Sequence, residues 1–391
     1  MENLIVRIAL AVLASVLSLA VQAVPVVPAS FDRSLWPEQL DSPVLFDVAS
    51  RAEILSFAQV LQKSEMLDEP ALAARLQLRQ VNLPVVRAVR ARMWQRLWQN
   101  YQQAQRSCEQ DASFCYPLES MAELRTRAAT FNADVGEFYV GWTEPSHSFH
   151  RRYLDEQLRK AALFPQTSSE IERLSSRERN GDELNDRMFL LTFVGGPGGQ
   201  GSSTDNLADY LRRQKLNATF FVLGNRLQQR RDSGAGRLQD MYRKQCVGIQ
   251  GWEYRSHAQW QGWQDSLRRS QAWVQAELPE QYVPLFRPPY GQRRSDGEAF
   301  MASEGLQVSL WDIDAMDDGA LTAEASAQRV VTLMLLWRKG VIQFHDNQSK
   351  AQPALEWLLQ HTVQSGIGWQ DCKEYGRGAD AGATAQSGVG G

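Results

Sequence analysis

Chemically active side chains follow four strand-like runs in the second half of this sequence, at the point where each run ends. They are Glu253 and His257, then Arg287 and Tyr290, then Asp312, Asp314, Asp317 and Asp318, and finally His345 and Asp346. Histidine, carboxylate and guanidinium groups transfer protons, bind metal ions and stabilise charge in catalytic sites. Glu253 and His257 are four residues apart, so we expect both to face one centre from a helical turn.

The elements that must position these residues are six apolar runs of strand length, which alternate with helical patterns. The runs span residues 188–193, 218–223, 246–250, 283–286, 307–311 and 341–344, and the helices 205–215, 267–278, 298–303, 323–337 and 354–363. This alternation predicts an α/β fold with a parallel sheet or barrel. In such folds active sites lie at the carboxyl ends of the strands, where these polar residues stand.

Each polar group also has a purely structural interpretation. An acidic loop such as 312–318 is usually solvated, and Asp346 beside Asn347 is able to start a helix. Arg287 before two prolines is able to brace a turn. The coincidence of polar groups at four successive strand ends nevertheless favours a functional site.

Residues 188–366 resemble a polysaccharide deacetylase of the NodB-homology type, carbohydrate esterase family 4. The segments that carry the resemblance are, in order, Thr192-Phe193-Val194-Gly195-Gly196-Pro197, Thr219-Phe220-Phe221-Val222, Glu253-Tyr254-Arg255-Ser256-His257, Arg287-Pro288-Pro289-Tyr290, Asp314-Ala315-Met316-Asp317-Asp318 and Phe344-His345-Asp346. They take the places of the family's Thr-Phe-Asp-Asp-Gly-Pro, Ala-Thr-Phe-Phe, His-Ser/Thr-x-x-His, Arg-x-Pro-Tyr, Asp-x-x-Asp-Trp and Leu-x-His motifs. The resemblance implies a distorted (β/α) barrel over residues 186–370.

The resemblance also assigns roles to the residues that are retained. His345 stands at the position of the general acid, which protonates the leaving amine. Arg287 and Asp317 match a pair that orients the base and tunes the histidine. Tyr290 matches a residue whose backbone amide helps to hold the developing oxyanion.

The departures from the family pattern fall at the base and the metal. In the family one aspartate is the general base, and a second binds a divalent metal ion, zinc or similar, together with two histidines. Val194 and Gly195 take the two aspartate positions, and Glu253 replaces one histidine. Glu253 and His257 remain as a weak candidate metal site, so both a divalent metal and no cofactor stay open. Asp318 also replaces the tryptophan that walls the groove.

Two functions therefore remain open. One is metal-dependent removal of acetyl groups from an N-acetylated envelope polysaccharide, with an added carboxylate such as Asp205 completing the site. The other is a catalytically inactive pseudo-deacetylase that binds glycan or an envelope partner. A weaker alternative makes the helical half an interaction module and the barrel its scaffold. The net charge of -3, from 42 basic and 45 acidic residues, gives no indication of a nucleic-acid partner.

The first half of the chain has a different pattern. Residues 1–23 resemble a secretory signal peptide cleaved after Ala23, which predicts an exported protein, periplasmic or secreted, with no membrane span after cleavage. Residues 30–185 predict a mainly helical region whose protein partner is unknown. Its arginine run over 87–96 is expected on a solvated face, and His147 and His150 at surface or capping positions.

Four cysteines and the C-terminal composition complete the expectations. Cys108 and Cys115 are expected to form a disulfide, whereas Cys246 and Cys372 either pair or stay free. Residues 371–391 are rich in glycine and alanine and predict a disordered tail.

Overall fold

The computed structural model describes residues 27–131, 136–163, 173–234 and 236–377. The predicted signal peptide, residues 1–23, and the end of the predicted tail, residues 378–391, lie outside the described residues. Within the described ranges, no helix combines the length and the apolar character that crossing a membrane requires.

The N-terminal region is mainly helical, as the sequence predicts, and its described residues contain five α-helices. They are α1 (Pro43–Glu65), α2 (Glu69–Leu76), α3 (Leu83–Ala104), α4 (Met121–Ala129) and α5 (Val140–Leu163), with short 3-10 helices at Arg33–Leu35, Gln105–Ser107 and Glu137–Tyr139. The first four begin with side-chain caps, in which Ser42, Asp68, Asn82 and Ser120 each accept a hydrogen bond from the backbone three residues further on. Helix α1 is buried over most of its surface because α3, α4 and α5 pack around it.

The expectation for His147 and His150 is wrong. Both lie inside α5 and are 6% and 0% exposed. His150 Nε2 lies 2.8 Å from Glu53 Oε2, and Glu53 also accepts hydrogen bonds from Trp142 Nε1 and Ser146 Oγ at 3.0 Å. These histidines are therefore core residues, and His150 belongs to a buried polar network that satisfies the Glu53 carboxylate.

Nine strands form one parallel sheet within the described residues. They are β1 (Glu178–Arg179), β2 (Met188–Val194), β3 (Thr219–Val222), β4 (Cys246–Ile249), β5 (Tyr282–Phe286), β6 (Gln307–Ser309), β7 (Ile313–Asp314), β8 (Gly340–His345) and β9 (Gly368–Trp369). The strand order is β1-β6-β5-β4-β3-β2-β8-β7, and β9 also pairs with β2. The six predicted strands are β2 to β6 and β8. Strand β1 pairs with β6, so the sheet begins before the predicted domain boundary at residue 186.

The sheet curls into an open barrel with helices around it. The helices are α6 (Ser203–Arg213), α7 (Gly224–Asp232), α8 (Leu238–Met241), α9 (Trp263–Glu277), α10 (Glu298–Ser303), α11 (Ala323–Trp337), α12 (Ala351–Thr362) and α13 (Cys372–Arg377). Arg287, next to β5, donates hydrogen bonds to Thr192 on β2 and Gln343 on β8, three and four strands away in the order, which requires a curved sheet. No pairing closes the ring in the described part of the chain, so the distorted (β/α) barrel is confirmed in an open form.

Helix α13 closes the base of this barrel. A disulfide joins Cys372 to Cys246, the first residue of β4. Tyr375 packs in a second cluster of buried apolar side chains, here called the inner apolar cluster, which also contains Leu190, Val194, Phe221 and Trp311. The predicted disordered tail is therefore wrong for its first part, because Cys372–Arg377 is an ordered helix. The Cys108–Cys115 disulfide forms as expected. Cys246 and Cys372, which the sequence predicts either to pair or to stay free, also form a disulfide.

Buried ion pairs attach the helical region to the α/β domain. Arg96 Nη2 on α3 donates to Asp312 Oδ2 at 2.9 Å, so this arginine does not lie on a solvated face. Asp312, expected among the strand-end residues, instead accepts hydrogen bonds from Arg96 and from the backbone of Val341 near the start of β8. Arg329 on α11 pairs with Glu156 on α5 at 2.8 Å. The two regions therefore share one packed interface.

Candidate functional site

His345 and Asp317 form a hydrogen-bonded pair at the carboxyl end of the sheet. His345 is the last residue of β8, and Asp317 lies in the loop after β7. His345 Nδ1 lies 2.8 Å from Asp317 Oδ1, and Asp317 Oδ2 accepts the backbone N–H of His345 at 3.1 Å. Asp318 Oδ2 lies 3.6 Å from His345 Nε2. The structure thus brings together these two sequence-predicted catalytic residues.

This environment makes His345 a cation at neutral pH. Burial opposes the charge, but the hydrogen bond and negative charge of Asp317, with Asp318 and Asp314, outweigh it and raise the pKa of His345 to about 9. The imidazolium side chain keeps 17% exposure. A protonated, partly exposed histidine oriented by a carboxylate is able to donate a proton to a bound group.

Val194, which stands at the position of the family's base, has a buried alkyl side chain. Val194 is the last residue of β2, is 4% exposed, and packs in the inner apolar cluster with Phe221 and Trp311. An isopropyl group neither accepts a proton nor binds a metal ion. The Val194 side chain therefore cannot transfer a proton.

The next position, Gly195, is enclosed as well as lacking a ligand atom. Its φ is +94°, its N–H donates to Gln250 Oε1 at 3.2 Å, and its carbonyl accepts a hydrogen bond from Arg226. A Cβ built at Gly195 would lie 3.1 Å from the side-chain amide of Asn347. A side chain here would need a strained backbone and a displaced Asn347.

Asp346 places a buried carboxyl group against this same turn. Its Oδ2 accepts a hydrogen bond from Thr204 Oγ1 at 3.1 Å, and a Cβ on Gly196 would overlap it. Burial raises the pKa of Asp346 to about 7, against the opposing effect of the Thr204 hydrogen bond. The Asn347 side chain thus fills the space beside Gly195, and the Asp346 side chain fills the space beside Gly196.

The predicted helical turn between Glu253 and His257 is wrong. The chain has bends rather than helix from 252 to 259, and the next helix, α9, begins at Trp263. His257 is buried, its Nε2 lies 3.1 Å from Ser266 Oγ, and burial lowers its pKa to about 4. The Glu253 side chain is 47% exposed and lies 3.8 Å from Arg255.

The residues present do not fit the family's metal ion. Val194 and Gly195 supply no ligand atom, His257 Nε2 faces a hydroxyl group, and Glu253 is half exposed. Asp205, expected as a replacement carboxylate, instead caps α6 and pairs with Arg230 at 2.6 Å.

One group of three metal-type ligands is found among the described residues. It consists of Asp317, Asp318 and His345, whose ligand atoms all lie within 4.8 Å of one another. A metal ion bound there would have to displace a proton from His345, because a ligating imidazole is neutral.

Arg287 lies fully buried inside the barrel rather than against Asp317. Its hydrogen bonds go to Ser309 O at 2.6 Å, Gln343 Oε1 at 3.0 Å, Thr192 Oγ1 at 3.1 Å, Leu310 O at 3.2 Å and Ser309 Oγ at 3.3 Å. All of these acceptors are neutral, and burial lowers the pKa of Arg287 to about 9. Because Val194 stands at the base position, Arg287 has no base to orient.

Tyr290 presents its side chain to solvent. It lies in the short 3-10 turn Pro289–Gly291 after β5, with φ +60° and ψ 9°, and it is 57% exposed. Its ring lies 4.6 Å, centroid to centroid, from the ring of Tyr254, which is 47% exposed.

Two residues at this edge, Asn347 and Tyr254, are not among the predicted site residues, whereas Asp346 is predicted beside His345. The adjacency of Asp346 and Asn347 to His345 at a strand end was the available signal, but sequence alone does not reveal which way their side chains fold. Tyr254 lies between Glu253 and His257, the two residues that the sequence predicts as metal ligands.

Comparison with known proteins agrees with the fold and the motifs. Residues 181–309 match the family model for polysaccharide deacetylase. The chain is 30% identical over 164 residues to a bifunctional xylanase/xylan deacetylase of Cellvibrio japonicus, covering 40% of this chain and 22% of that protein. It is 27% identical over 167 residues to the peptidoglycan-N-acetylmuramic acid deacetylase PdaC of Bacillus subtilis (strain 168), covering 42% of this chain and 34% of that protein.

Among solved structures, a carbohydrate esterase family 4 pseudoenzyme from Bacillus anthracis is similar, with 19% identity and a TM-score of 0.44 over 51% of this chain and 69% of that one. The chain thus spans between about a fifth and a third of the length of the curated relatives named above.

Proposed function

We propose that the protein binds an N-acetylated polysaccharide at the carboxyl end of the sheet without hydrolysing it. The match of residues 181–309 to the polysaccharide deacetylase family model supports this class of ligand. We further propose that it acts outside the cytoplasm, in the periplasm or as a secreted protein, on the strength of the signal-like residues 1–23. Its ligand would then be a polysaccharide of the cell envelope.

The observation that carries this proposal is that Val194 and Gly195 stand where the family has its two aspartates. Val194 is packed among apolar side chains, and the space beside Gly195 is taken by Asn347. Loss of a general base alone lowers a rate by a factor of roughly 10² to 10⁴, and loss of the metal removes water activation and carbonyl polarisation as well. Several independent parts of the hydrolytic machinery are thus replaced at once.

A second candidate, slow hydrolysis, is favoured by one specific observation. His345 keeps its carboxylate partner Asp317 at 2.8 Å and a raised pKa of about 9, which suits a general acid. Such an acid assists only the second half of amide hydrolysis, since it protonates the leaving amine after water has attacked.

Two measurements on the mature protein separate the candidates. Metal-stripped protein is titrated with Zn²⁺ and with Co²⁺ by calorimetry, and acetate release from chitopentaose is followed with and without each ion. We expect no stoichiometric metal binding and no acetate release above the blank. Stoichiometric binding, together with acetate release that His345→Gln abolishes, would establish the hydrolytic candidate instead.

A further inference from the structure

An exposed pair of tyrosine rings stands at the candidate binding edge. Tyr254 follows β4 and Tyr290 follows β5, and these two strands are hydrogen-bonded neighbours. Their ring centroids are 4.6 Å apart with planes tilted by 57°, and the residues are 47% and 57% exposed. Large aromatic residues exposed as a contiguous pair at the edge of a site are a feature of ligand-binding surfaces rather than of folding.

One of these two tyrosines, Tyr290, also has an unusual backbone conformation. Tyr290 has φ +60° and ψ 9°, the left-handed region, which bulky residues rarely adopt. A strained backbone of this kind persists where the surrounding structure maintains it, and such positions cluster at ligand sites. The unusual backbone at Tyr290 is thus a second feature typical of ligand sites at this end of the sheet.

The ring pair lies beside the acidic residues around His345. Burial raises the pKa of the Tyr254 hydroxyl to about 12, with smaller contributions from Tyr290 and from the negative charges of Asp318 and Asp314. Asp318 in turn lies 3.6 Å from His345 Nε2. The carboxyl end of the sheet therefore combines two exposed aromatic faces with carboxylate acceptors.

We propose that Tyr254 and Tyr290 form an aromatic platform against which pyranose rings of the N-acetylated polysaccharide pack, while Asp318 accepts hydrogen bonds from the sugar. A pyranose ring has apolar C–H faces and polar edges, which match an aromatic face bordered by carboxylates. This inference rests on the proposed function and deepens it, because it names residues that recognise the sugar. It also gives Tyr254 the wall-forming role that the family's tryptophan plays where Asp318 now stands.

The test is calorimetric titration of the mature protein with chitopentaose. Tyr254→Ala and Tyr290→Asn remove the two rings, and asparagine tolerates the left-handed backbone of position 290. We expect each to weaken binding about tenfold, as loss of an aromatic anchor does. Tyr254→Phe keeps the ring and is expected to bind within about twofold of the wild type.

Phe138→Ala is the matched control, because Phe138 is 63% exposed and its ring lies 4.9 Å from that of Tyr139 in the helical region. We expect this variant to bind like the wild type. If the wild type binds chitopentaose and Tyr254→Ala and Tyr290→Asn bind equally well, the platform is overturned while the proposed function stands. If the wild type binds no chitopentaose, the proposed function itself is overturned.

Discussion

His345 is the residue on which the proposed binding site depends most. Its Nδ1 is held by Asp317 at 2.8 Å, and its Nε2 faces Asp318 and the partly open edge. The same charges that raise its pKa to about 9 would make it a hydrogen-bond donor to a glycan carbonyl or hydroxyl group at neutral pH. A histidine selected for catalysis and one retained for binding would thus look alike in this environment.

The first prediction concerns the titration of His345. Its folded pKa of about 9 lies above the ordinary value of 6.5, so its stabilising contribution is complete below about pH 6.5 and is lost as the pH rises through about 9. The shift corresponds to about 3 kcal/mol in the free energy of unfolding. NMR titration of the imidazole gives the midpoint, and urea unfolding at pH 6 and pH 10 gives the energy.

The matched variant for that titration is Asp317→Asn, which removes the charge bound to Nδ1 while keeping a similar shape. We expect the His345 midpoint to fall by more than one pH unit, because burial then opposes the charge with less compensation. His361→Gln, at an exposed position on α12, is expected to leave the His345 midpoint unchanged. A wild-type His345 midpoint below pH 7 would contradict the account.

At the scale of elements, the turn after β2 opposes the introduction of an aspartate at position 195. Gly195 needs φ +94°, and its missing Cβ leaves room for Asn347. The turn is also fixed by hydrogen bonds from Gly195 N to Gln250 and from Arg226 to the Gly195 carbonyl. Restoring an aspartate there therefore changes the conformation of the turn as well as its chemistry.

The second prediction is that Gly195→Ala destabilises the protein by about 1–3 kcal/mol, through backbone strain and contact with Asn347. Gly199→Ala is the control, since Gly199 has no neighbouring atom within 4 Å of a built Cβ and no positive φ. We expect the control to change the unfolding free energy by less than about 0.5 kcal/mol. Equal unfolding free energies for the two variants in urea would show that the turn tolerates a side chain.

The third prediction concerns the two disulfides. Cys246–Cys372 spans 126 residues and Cys108–Cys115 spans 7. The loop-closure entropy of the unfolded chain gives about 5 kcal/mol for the first and about 2.5 kcal/mol for the second. The double variant Cys246→Ser/Cys372→Ser is therefore expected to lose more stability in urea than Cys108→Ser/Cys115→Ser.

Release of α13 is the structural consequence of that larger loss. Tyr375 packs in the inner cluster and donates a hydrogen bond from its hydroxyl to Glu183 at 2.9 Å. Hydrogen exchange in 372–377 should rise in the Cys246→Ser/Cys372→Ser variant and stay unchanged in the other. Greater destabilisation by loss of the Cys108–Cys115 bond would contradict the role given to α13.

At the scale of the whole molecule, buried ion pairs join the helical region to the barrel, so we expect the two to unfold as a single unit. Arg96 bridges from α3 to the fully buried Asp312, and Arg338 pairs with Asp47 at 2.8 Å. Burial raises the pKa of Asp312 to about 7 even with Arg96 beside it. The helical region is therefore attached through charges that neither part could leave unpaired in its core.

The fourth prediction is that Arg96→Ala costs about 3–5 kcal/mol, because it leaves a buried carboxylate without its cation. Arg213→Ala, which removes a 60% exposed partner of Asp209, should cost less than about 1 kcal/mol. Adding Asp312→Asn to Arg96→Ala should recover part of the loss. Urea unfolding followed by tryptophan fluorescence should give one transition, and separate transitions for the two regions would contradict a single unit.

The sequence predicts most of this fold because strands β2 to β6 and β8 lie in short, mainly apolar runs with helices between most of them. It also places His345 and Asp317 together, since both follow strands of one parallel sheet. It fails for His150 and Asp312, because their partners Glu53 and Arg96 are about 97 and 216 residues away. The burial of such groups depends on tertiary contacts that local patterns do not encode.

The most direct test of the central claim follows the ¹³C-acetyl resonances of labelled chitopentaose mixed with the mature protein and Zn²⁺. One spectrum reports both events, since binding broadens or shifts the N-acetyl signals and hydrolysis produces a free acetate signal. We predict saturable broadening with no acetate signal above that of a protein-free sample. Growth of free acetate with the wild type, and its loss with His345→Gln, would contradict binding without hydrolysis.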